Sequence, residues 1–206
     1  MLTMDTLIYG LALVGAMVNA ASGVLEAGRK RFDLFGMVVV ALAAALGGGT
    51  LRDILLDRTV FWIAEQSYLI AALVAGVGTF ILARLVRLPA RLFLLPDALG
   101  LALFTVVGTQ AAIAHGAPWL VASLMGVITG VFGGIVRDVL CNELPLVFRG
   151  ELYATAAWLG ALTLIVLPQL GVSPRLAALF AGATVLALRL LAMRYRWHLP
   201  SFSARR

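Results

Sequence analysis

Charged residues are scarce in this chain. Only 13% of its 206 residues are charged and 62% are hydrophobic, and the mean hydropathy is +1.02. Because a soluble domain carries about a quarter charged residues, this composition excludes a soluble globular protein and predicts an integral membrane protein. Basic residues outnumber acidic ones, 16 to 10. They form no basic face interleaved with aromatics, which argues against a nucleic acid as partner.

Residues that build metal, redox and catalytic centres are equally rare. The single cysteine, Cys141, cannot form an internal disulfide, and His115 and His198 lack metal-ligand spacing. Neither histidine has the serine or aspartate context of a catalytic triad. The run of glycines at 47–49 is not a phosphate loop, because no Gly-Lys-Ser/Thr follows it. We therefore expect no enzyme activity, no metal and no cofactor.

Long apolar segments make up most of the chain. A membrane-spanning helix needs about 20 mostly apolar residues. Seven segments separated by charges and helix breakers meet this need: 7–25, 34–51, 67–83, 96–114, 118–136, 152–170 and 175–193. The first has neither a basic n-region nor a small-residue cleavage site, so we expect it to be retained. The sequence predicts an all-α protein with one transmembrane domain, 1–206, that ends in a tail over 194–206.

Basic residues in short loops predict the orientation, because such loops stay on the cytoplasmic side. We therefore expect the N-terminus outside and the C-terminus in the cytoplasm. Successive loops alternate between the two sides of the membrane. On the side that we expect to be outside, the loops and span ends carry only Arg52, Arg58 and Arg175. On the side that we expect to be cytoplasmic, the loops and the tail carry Arg29, Lys30, Arg31, Arg84, Arg87, Arg91, Arg149, Arg194, Arg196, Arg205 and Arg206.

The chain also repeats itself at one constant offset. Segment 48–53, Gly-Gly-Thr-Leu-Arg-Asp, returns as segment 133–138, Gly-Gly-Ile-Val-Arg-Asp, and the same shift along the chain takes Tyr68 to Tyr153. We call this shift the repeat offset. Each copy holds three spans, an odd number, so two tandem copies enter the membrane from opposite sides. We predict an inverted repeat of about 5–88 and about 90–173. The seventh helix, about 175–193, lies outside it.

The doubled motif predicts a polar path through the membrane. Each glycine costs about 1 kcal/mol against alanine inside a helix, and a charge in hydrocarbon costs several more. Close helix packing is the alternative for the glycines, and interfacial anchoring is the alternative for the charges. Adjacent helical side chains point in different directions, so we expect no neutralisation within either Arg-Asp pair. The candidate pore and gate residues are Gly47, Gly48, Gly49, Thr50, Arg52, Asp53, Ser123, Thr129, Gly133, Gly134, Arg137 and Asp138.

Three of these candidates, Thr50, Ser123 and Thr129, have helix–helix hydrogen bonding as their alternative role. Asp97, which opens the fourth span, is interpreted only as a favourable charge at a helix N-terminus. A weaker prediction concerns membrane lipid, because basic residues near a span end attract anionic headgroups. The residues predicted to bind lipid are Arg29, Lys30, Arg31, Arg84, Arg87 and Arg91.

The twin motifs, the repeat offset and the extra seventh segment resemble prokaryotic members of the trimeric intracellular cation channel (TRIC) family. The resemblance covers about residues 5–195 and is carried by segments 47–53 and 133–138, followed by Glu143 and Pro145. It implies a homotrimer in the prokaryotic inner membrane, with associated lipid. Each protomer would have its own pore for passive K⁺ and Na⁺ passage, kinked at the glycines of the second and fifth spans.

The animal relatives carry a Lys-containing motif in the fifth span, where this chain has Arg137 and Asp138. This departure argues against regulation by lipid headgroups or Ca²⁺ of the animal kind. Two other functions fit the pattern. A secondary transporter of a small solute such as glycine is one, since inverted repeats with broken helices are typical of carriers and some bacterial relatives have been described as small amino-acid uptake proteins. A membrane scaffold whose glycines only pack helices is the other.

Overall fold

The structure is a computed structural model that describes residues 4–86, 89, 91–149 and 152–199. Helices account for most of it. Two 3₁₀ turns, Gly28–Lys30 and Leu146–Phe148, follow α1 and α6. The helices are α1 Met4–Ala27, α2 Leu34–Leu55, α3 Phe61–Ala64, α4 Ser67–Leu85, α5 Leu94–Ala114, α6 Trp119–Leu140, α7 Ala154–Gln169 and α8 Pro174–Tyr195.

Capping residues explain several of these boundaries. The Asp33 side chain accepts a hydrogen bond from the Gly36 amide at 2.7 Å and so caps the start of α2. Pro174 occupies the first turn of α8, where its missing N–H costs nothing. Gly116 and Gly171 adopt positive φ values of 82° and 84° in the turns before α6 and α8. Both turns require this backbone conformation, which glycine adopts without strain.

Among the described residues, six helices are long and apolar enough to cross a membrane: α1 with its 3₁₀ turn, α2, α4, α5, α6 and α8. The predicted sixth span, 152–170, is shorter in the structure. It corresponds to α7, whose 16 residues extend about 24 Å at 1.5 Å per residue. The chain is thus an all-helical membrane protein with six full-length candidate spans and one shorter apolar helix.

The helix α5 lies at the centre of the bundle. Of its apolar stretch 67% is buried, against 22% for α4 at the periphery. It packs on α6, α1 and α8, while α2 packs on α1 and α6. Complementary small residues hold α5 and α6 together: a side chain on Gly108 would collide with Thr129, and one on Gly126 would collide with Thr109. This reciprocal fit of glycine against threonine brings the two backbones close.

The two ends of the bundle differ in charge. One end, called the basic end below, carries the turn after α1, the end of α4, the loop after α6 and the end of α8. An ion pair of 2.7 Å between Lys30 Nζ and Glu143 Oε1 joins two of these segments. At the opposite end the exposed Arg58 donates to the Ala111 carbonyl. Three of the arginines used for the orientation, Arg87, Arg205 and Arg206, lie outside the described residues.

Candidate functional site

The repeated glycines lie where α2 crosses α6. A Cβ atom on Gly48 would collide with the Thr129 carbonyl of α6, and one on Gly133 would collide with the Ala44 carbonyl of α2. Both helices continue through these positions without a break. The glycines therefore form no unwound turn in either helix. Close packing, the alternative, is what the structure has, because the cost of helical glycine is offset by backbone contact between the helices.

The other three glycines of the motifs have different surroundings. Gly47 faces Gly133 across the helix crossing, with a Cβ-to-Cα separation of 3.8 Å. Gly49 lies against the ring of Phe61, so that α3 covers this face of α2. Gly134 faces polar groups instead, since its Cβ position lies 3.1 Å from the Tyr153 hydroxyl and 3.5 Å from a carboxylate oxygen of Asp97. Of these three, Gly134 is the one that borders charged groups.

Arg52 and Asp53 form a buried ion pair at the end of α2. Arg52 Nε lies 2.9 Å from Asp53 Oδ1 and its Nη2 lies 3.0 Å from Oδ2. The expectation that these neighbours would not neutralise each other was wrong. They occupy the last turn of α2, where the long arginine side chain folds back across the helix end. Asp53 also accepts from the Phe61 amide at 2.9 Å, and the guanidinium lies over the Phe61 ring.

The second motif builds the same helix ending. Arg137 Nε lies 2.8 Å from Asp138 Oδ1, and Asp138 Oδ2 accepts from the Leu146 amide at 3.0 Å. The repeat offset takes Phe61 to Leu146, so the two aspartates bind equivalent amides. Asp57 and Asn142, another pair at this offset, share a φ of 51°. Local hydrogen bonding thus repeats with the sequence, and neither pair is left to face lipid.

Beyond this shared geometry the two arginines differ. Arg137 Nη1 lies 2.5 Å from Asp97 Oδ1 and 2.7 Å from the Ser22 hydroxyl, and the Tyr153 hydroxyl donates to Asp97 at 3.2 Å. All are buried. We call Ser22, Asp97, Arg137, Asp138 and Tyr153 the Arg137 cluster. It joins α1, α5, α6 and the start of α7 around one guanidinium that contacts two carboxylates.

The equivalent positions around Arg52 cannot supply these contacts. By the repeat offset, Ala12 is the counterpart of Asp97 and Val107 is the counterpart of Ser22. Neither Asp97 nor Ser22 was predicted as a member of the site. A usable signal existed for Asp97, because it is an acidic residue inside an apolar span. In the structure its Oδ2 has no hydrogen-bond partner among the described residues. No comparable signal marked Ser22.

The hydrogen bonds of the three hydroxyl candidates are made with indole groups and main-chain carbonyls of the helices. Thr50 accepts from the Trp62 indole at 2.9 Å, which ties α2 to α3. Ser123 accepts from the Trp158 indole at 3.1 Å, which ties α6 to α7. Thr129 donates to the Met125 carbonyl of its own helix at 2.6 Å. Thr50 and Ser123 therefore make the hydrogen bonds between helices that were their alternative role, whereas the hydrogen bond of Thr129 stays within α6.

The residues predicted to bind lipid lie at the basic end but are not equivalent. Arg29 pairs with the buried Glu26 at 2.8 Å, and Lys30 pairs with Glu143. Arg84 lies over the Phe80 ring, Arg31 is exposed, and Arg87 lies outside the described residues. A cavity of ≈ 550 Å³ opens at this end, and its wall includes Arg29, Arg91, Arg149, Arg196 and His198.

The comparisons with known proteins fit this arrangement. A family model described as "Glycine transporter" matches twice, over residues 9–84 and 94–169. Among solved structures, a TRIC channel orthologue from Rhodobacter sphaeroides is 38% identical, with a TM-score of 0.89 over 93% of this chain and 100% of that one. The chain belongs to the trimeric intracellular cation channel family. The two segments matched by the family model are themselves related by the repeat offset.

Further relatives extend the likeness. A second solved structure, which is described as the structural basis for conductance through TRIC cation channels, has a TM-score of 0.84 and 31% identity. The match covers 100% of both chains. The inner membrane protein YadS of Escherichia coli K12 is 42% identical over 96% of this chain and 97% of its own length. A membrane protein of Vibrio cholerae is 43% identical over 97% of this chain and 85% of its own. The names of these relatives describe channels, a transporter and membrane proteins rather than enzymes.

Proposed function

We propose that this protein is a passive channel for K⁺ and Na⁺ with a pore inside each protomer of a homotrimer. The observation that carries the proposal is the pair of buried Arg–Asp sites at opposite ends of one bundle. Burying ionised groups in a membrane is costly and marks ion pathways in membrane proteins. The family adds support, since the chain is 38% identical to a solved TRIC channel.

The proposed path runs between α1, α2, α5 and α6. It passes from the Arg137 cluster at the basic end to Arg52 and Asp53 at the other end. At the crossing of α2 and α6 the backbones touch at Gly48 and Gly133, so an ion can pass there only after these helices separate. Glycine suits such a step, because no side chain has to leave the contact. The proposed gate is this crossing, and Asp53 and Asp138 attract the cation on either side.

A flux assay tests the proposal. The protein is reconstituted into liposomes with a K⁺ gradient, and Asp138→Asn and Gly134→Leu are compared with the wild type. We expect both variants to assemble and to reduce K⁺ flux, because Asp138→Asn removes a negative charge from the path and Gly134→Leu fills the space beside the Arg137 cluster. Val139→Ala, a neighbouring substitution on the exposed face of α6, is the matched control. Unchanged flux in assembled variants would refute the assigned path.

Carriage of glycine is the alternative function. The family model bears the description "Glycine transporter", whereas the similar solved structures are described as cation channels. Inverted repeats also occur in secondary transporters. The two functions differ in kinetics, because a carrier completes a conformational cycle for each solute. Saturable counterflow of labelled glycine without unitary currents would establish the carrier. Cation currents with no glycine counterflow would establish the channel.

The proposed location is the prokaryotic inner membrane, in line with the name of the Escherichia coli relative. The two repeats enter from opposite sides, and the basic end faces the cytoplasm, where Arg29, Lys30 and Arg91 meet anionic lipid headgroups. Fusion of a reporter that is active only in the cytoplasm to the C-terminus tests the orientation. Binding to anionic against neutral vesicles tests the lipid contact. Activity of a periplasm-specific reporter at the C-terminus would reverse the proposed orientation.

A further inference from the structure

Arg189 is a charge buried inside α8, the one long helix outside the duplication. Its side chain is fully buried, although it lies within the last two turns of a helix that ends at Tyr195. A guanidinium at such a place costs several kcal/mol unless it meets compensating groups. The function proposed above gives Arg189 no role, and its position has no counterpart in the first repeat. The groups around Arg189 therefore indicate which buried negative charge it compensates.

Two contacts connect Arg189 to the Arg137 cluster. Its Nη1 donates to the Leu152 carbonyl at 3.0 Å, just before α7 begins. Its guanidinium lies over the ring of Tyr153, 4.7 Å from the centroid. The hydroxyl of the same tyrosine donates to Asp97, which accepts from Arg137. Arg189 thus holds the backbone and the ring that direct the Tyr153 hydroxyl toward Asp97.

A count of charges gives Arg189 a second task. The Arg137 cluster contains one guanidinium and two carboxylates, which leaves it with one excess negative charge. The nearby buried Glu26 does not share in this balance, because Arg29 lies 2.8 Å from it. At the basic end Glu143 is likewise matched by Lys30. Arg189, whose guanidinium lies over the Tyr153 ring, brings the buried group to neutrality.

The first repeat offers the contrast. Tyr68, the counterpart of Tyr153, packs edge-on against the rings of Tyr9 and Phe61. Arg52 has the one carboxylate of Asp53 and is balanced by it alone. No second acidic group has to be compensated there, and no helix equivalent to α8 covers that end among the described residues. The excess negative charge and the buried arginine thus occur together, around the second Arg-Asp motif and not around the first.

We propose that Arg189 is the counter-charge of the Arg137 cluster, and that it acts by positioning Tyr153 and through it Asp97. As the counter-charge, Arg189 neutralises the second carboxylate of the cluster. By positioning Tyr153, it keeps the Asp97 carboxylate in contact with Arg137. The extra helix α8 would then be the element that makes the two Arg–Asp sites electrically different. The role in conduction rests on the proposed channel function, whereas the charge balance does not.

A double-mutant cycle in thermal stability tests the charge balance. The buried group consists of the Arg137 cluster and Arg189. Arg189→Gln leaves this group with an excess negative charge and Asp97→Asn leaves it with an excess positive charge, so each substitution alone lowers the melting temperature. In the double variant the charges balance again. We therefore expect it to lose less than the sum of the single losses. Strictly additive losses would overturn the proposal, because a purely structural arginine on the Leu152 carbonyl would give additivity.

Three further variants make the cycle decisive. Arg194→Gln removes the same charge from an exposed position of α8, and its cycle with Asp97→Asn should be additive. Arg189→Lys keeps the charge and should retain most of the stability that Arg189→Gln loses. Should Arg189→Gln not assemble, the double variant with Asp97→Asn should still assemble. Failure of both to assemble, or a lysine variant no better than glutamine, would overturn the proposal.

The consequence for conduction is measured separately as K⁺ flux. At about 50 mM salt, removal of a positive charge beside a cation path raises the local cation concentration. We expect Arg189→Gln to raise flux about fivefold and Arg194→Gln to leave it within about twofold. Equal flux in wild type and Arg189→Gln would overturn the role in conduction. A wild type without flux would instead refute the channel, and the stability cycle would still decide the charge balance.

Discussion

Arg137 Nη1 lies 2.5 Å from Asp97 Oδ1, a contact that Arg52, its equivalent in the first repeat, cannot make because Ala12 stands in the place of that aspartate. The two motifs are alike in their local bonds and unlike in their partners. The second arginine connects α1, α5 and α6, and the first pairs with its neighbour at the end of one helix. Duplication thus produced two sites that share the Arg-Asp motif but have unequal numbers of partners.

This inequality predicts different costs for removing the two arginines. Arg137→Ala leaves two buried carboxylates without a cation, whereas Arg52→Ala leaves one, which keeps its bond from the Phe61 amide. Loss of one partner of a buried ion pair costs about 3–5 kcal/mol. We expect Arg137→Ala to lower the melting temperature of the detergent-purified protein more than Arg52→Ala, with exposed Arg58→Ala close to wild type. An equal loss for both buried arginines would contradict the inequality.

The glycine crossing predicts a selective intolerance of side chains. Gly48→Ala and Gly133→Ala place a methyl group against a main-chain carbonyl of the facing helix. Backbone cannot yield as a side-chain tip can, so α2 and α6 must move apart. We expect both variants to melt at lower temperature than wild type, or to fail to assemble.

Gly10 and Gly78 are the controls for that experiment, since a Cβ atom on either meets nothing within 4 Å. Both lie inside helices, α1 and α4. Alanine there should gain helix propensity, about 1 kcal/mol, and leave stability equal or raised. Destabilisation by all four substitutions alike would show that the crossing has no special role.

A pH dependence follows from the ion pair at the basic end. The hydrogen bond and charge of Lys30 lower the pKa of the Glu143 carboxyl below its usual 4.5. Because the folded pKa is below the unfolded one, the pair stabilises the protein above pH 4.5, and its contribution is lost as the pH falls through the lowered value. We expect Glu143→Gln to melt below wild type at pH 7 and to approach it as the pH falls below 4.5 and through the lowered pKa.

Lys30→Gln is the reciprocal control, because it removes the other half of the same pair. It should reproduce most of the lower melting temperature of Glu143→Gln at pH 7 and the convergence with wild type in acid. The remainder belongs to Arg149, whose Nη2 lies 3.4 Å from Glu143 Oε2. A melting difference that stays constant across the titration would mean that the Lys30–Glu143 contact contributes nothing through its charges.

Cys141 gives a test of burial at the end of α6. Only 1% of its surface is exposed, and burial raises the pKa of its thiol to about 11. The thiolate is the reactive form, so at pH about 8 the folded protein should react very slowly with a thiol reagent. Full labelling is expected after denaturation. Rapid labelling of the folded protein would place this loop in contact with solvent and contradict the packing of Cys141.

The sequence predicted the features that depend on composition and repetition. Hydropathy located the spans, although the helix within 152–170 proved shorter and covers Ala154–Gln169. The repeat offset located both Arg–Asp sites. These features are properties of a segment or of two matched segments, so the residues themselves carry them.

What the sequence could not supply were contacts between distant segments. The pairing of Arg52 with Asp53 depends on how a side chain folds back at a helix end, which residue spacing does not specify. The packing at Gly48 depends on α6 passing beside it. Asp97 joined the site only because Ser22, Arg137 and Tyr153 come from three other segments and meet it. The spacing of residues along the chain does not specify any of these contacts.

Recording from a planar bilayer tests the central claim most directly. Purified protein is incorporated under a KCl gradient, and the current is followed as the voltage is changed. A channel for monovalent cations gives discrete unitary currents that reverse toward the K⁺ equilibrium potential, and these should shrink in Asp138→Asn but not in Val139→Ala. Assembled protein that gives no unitary current, or a current that reverses at the Cl⁻ potential, would contradict the account.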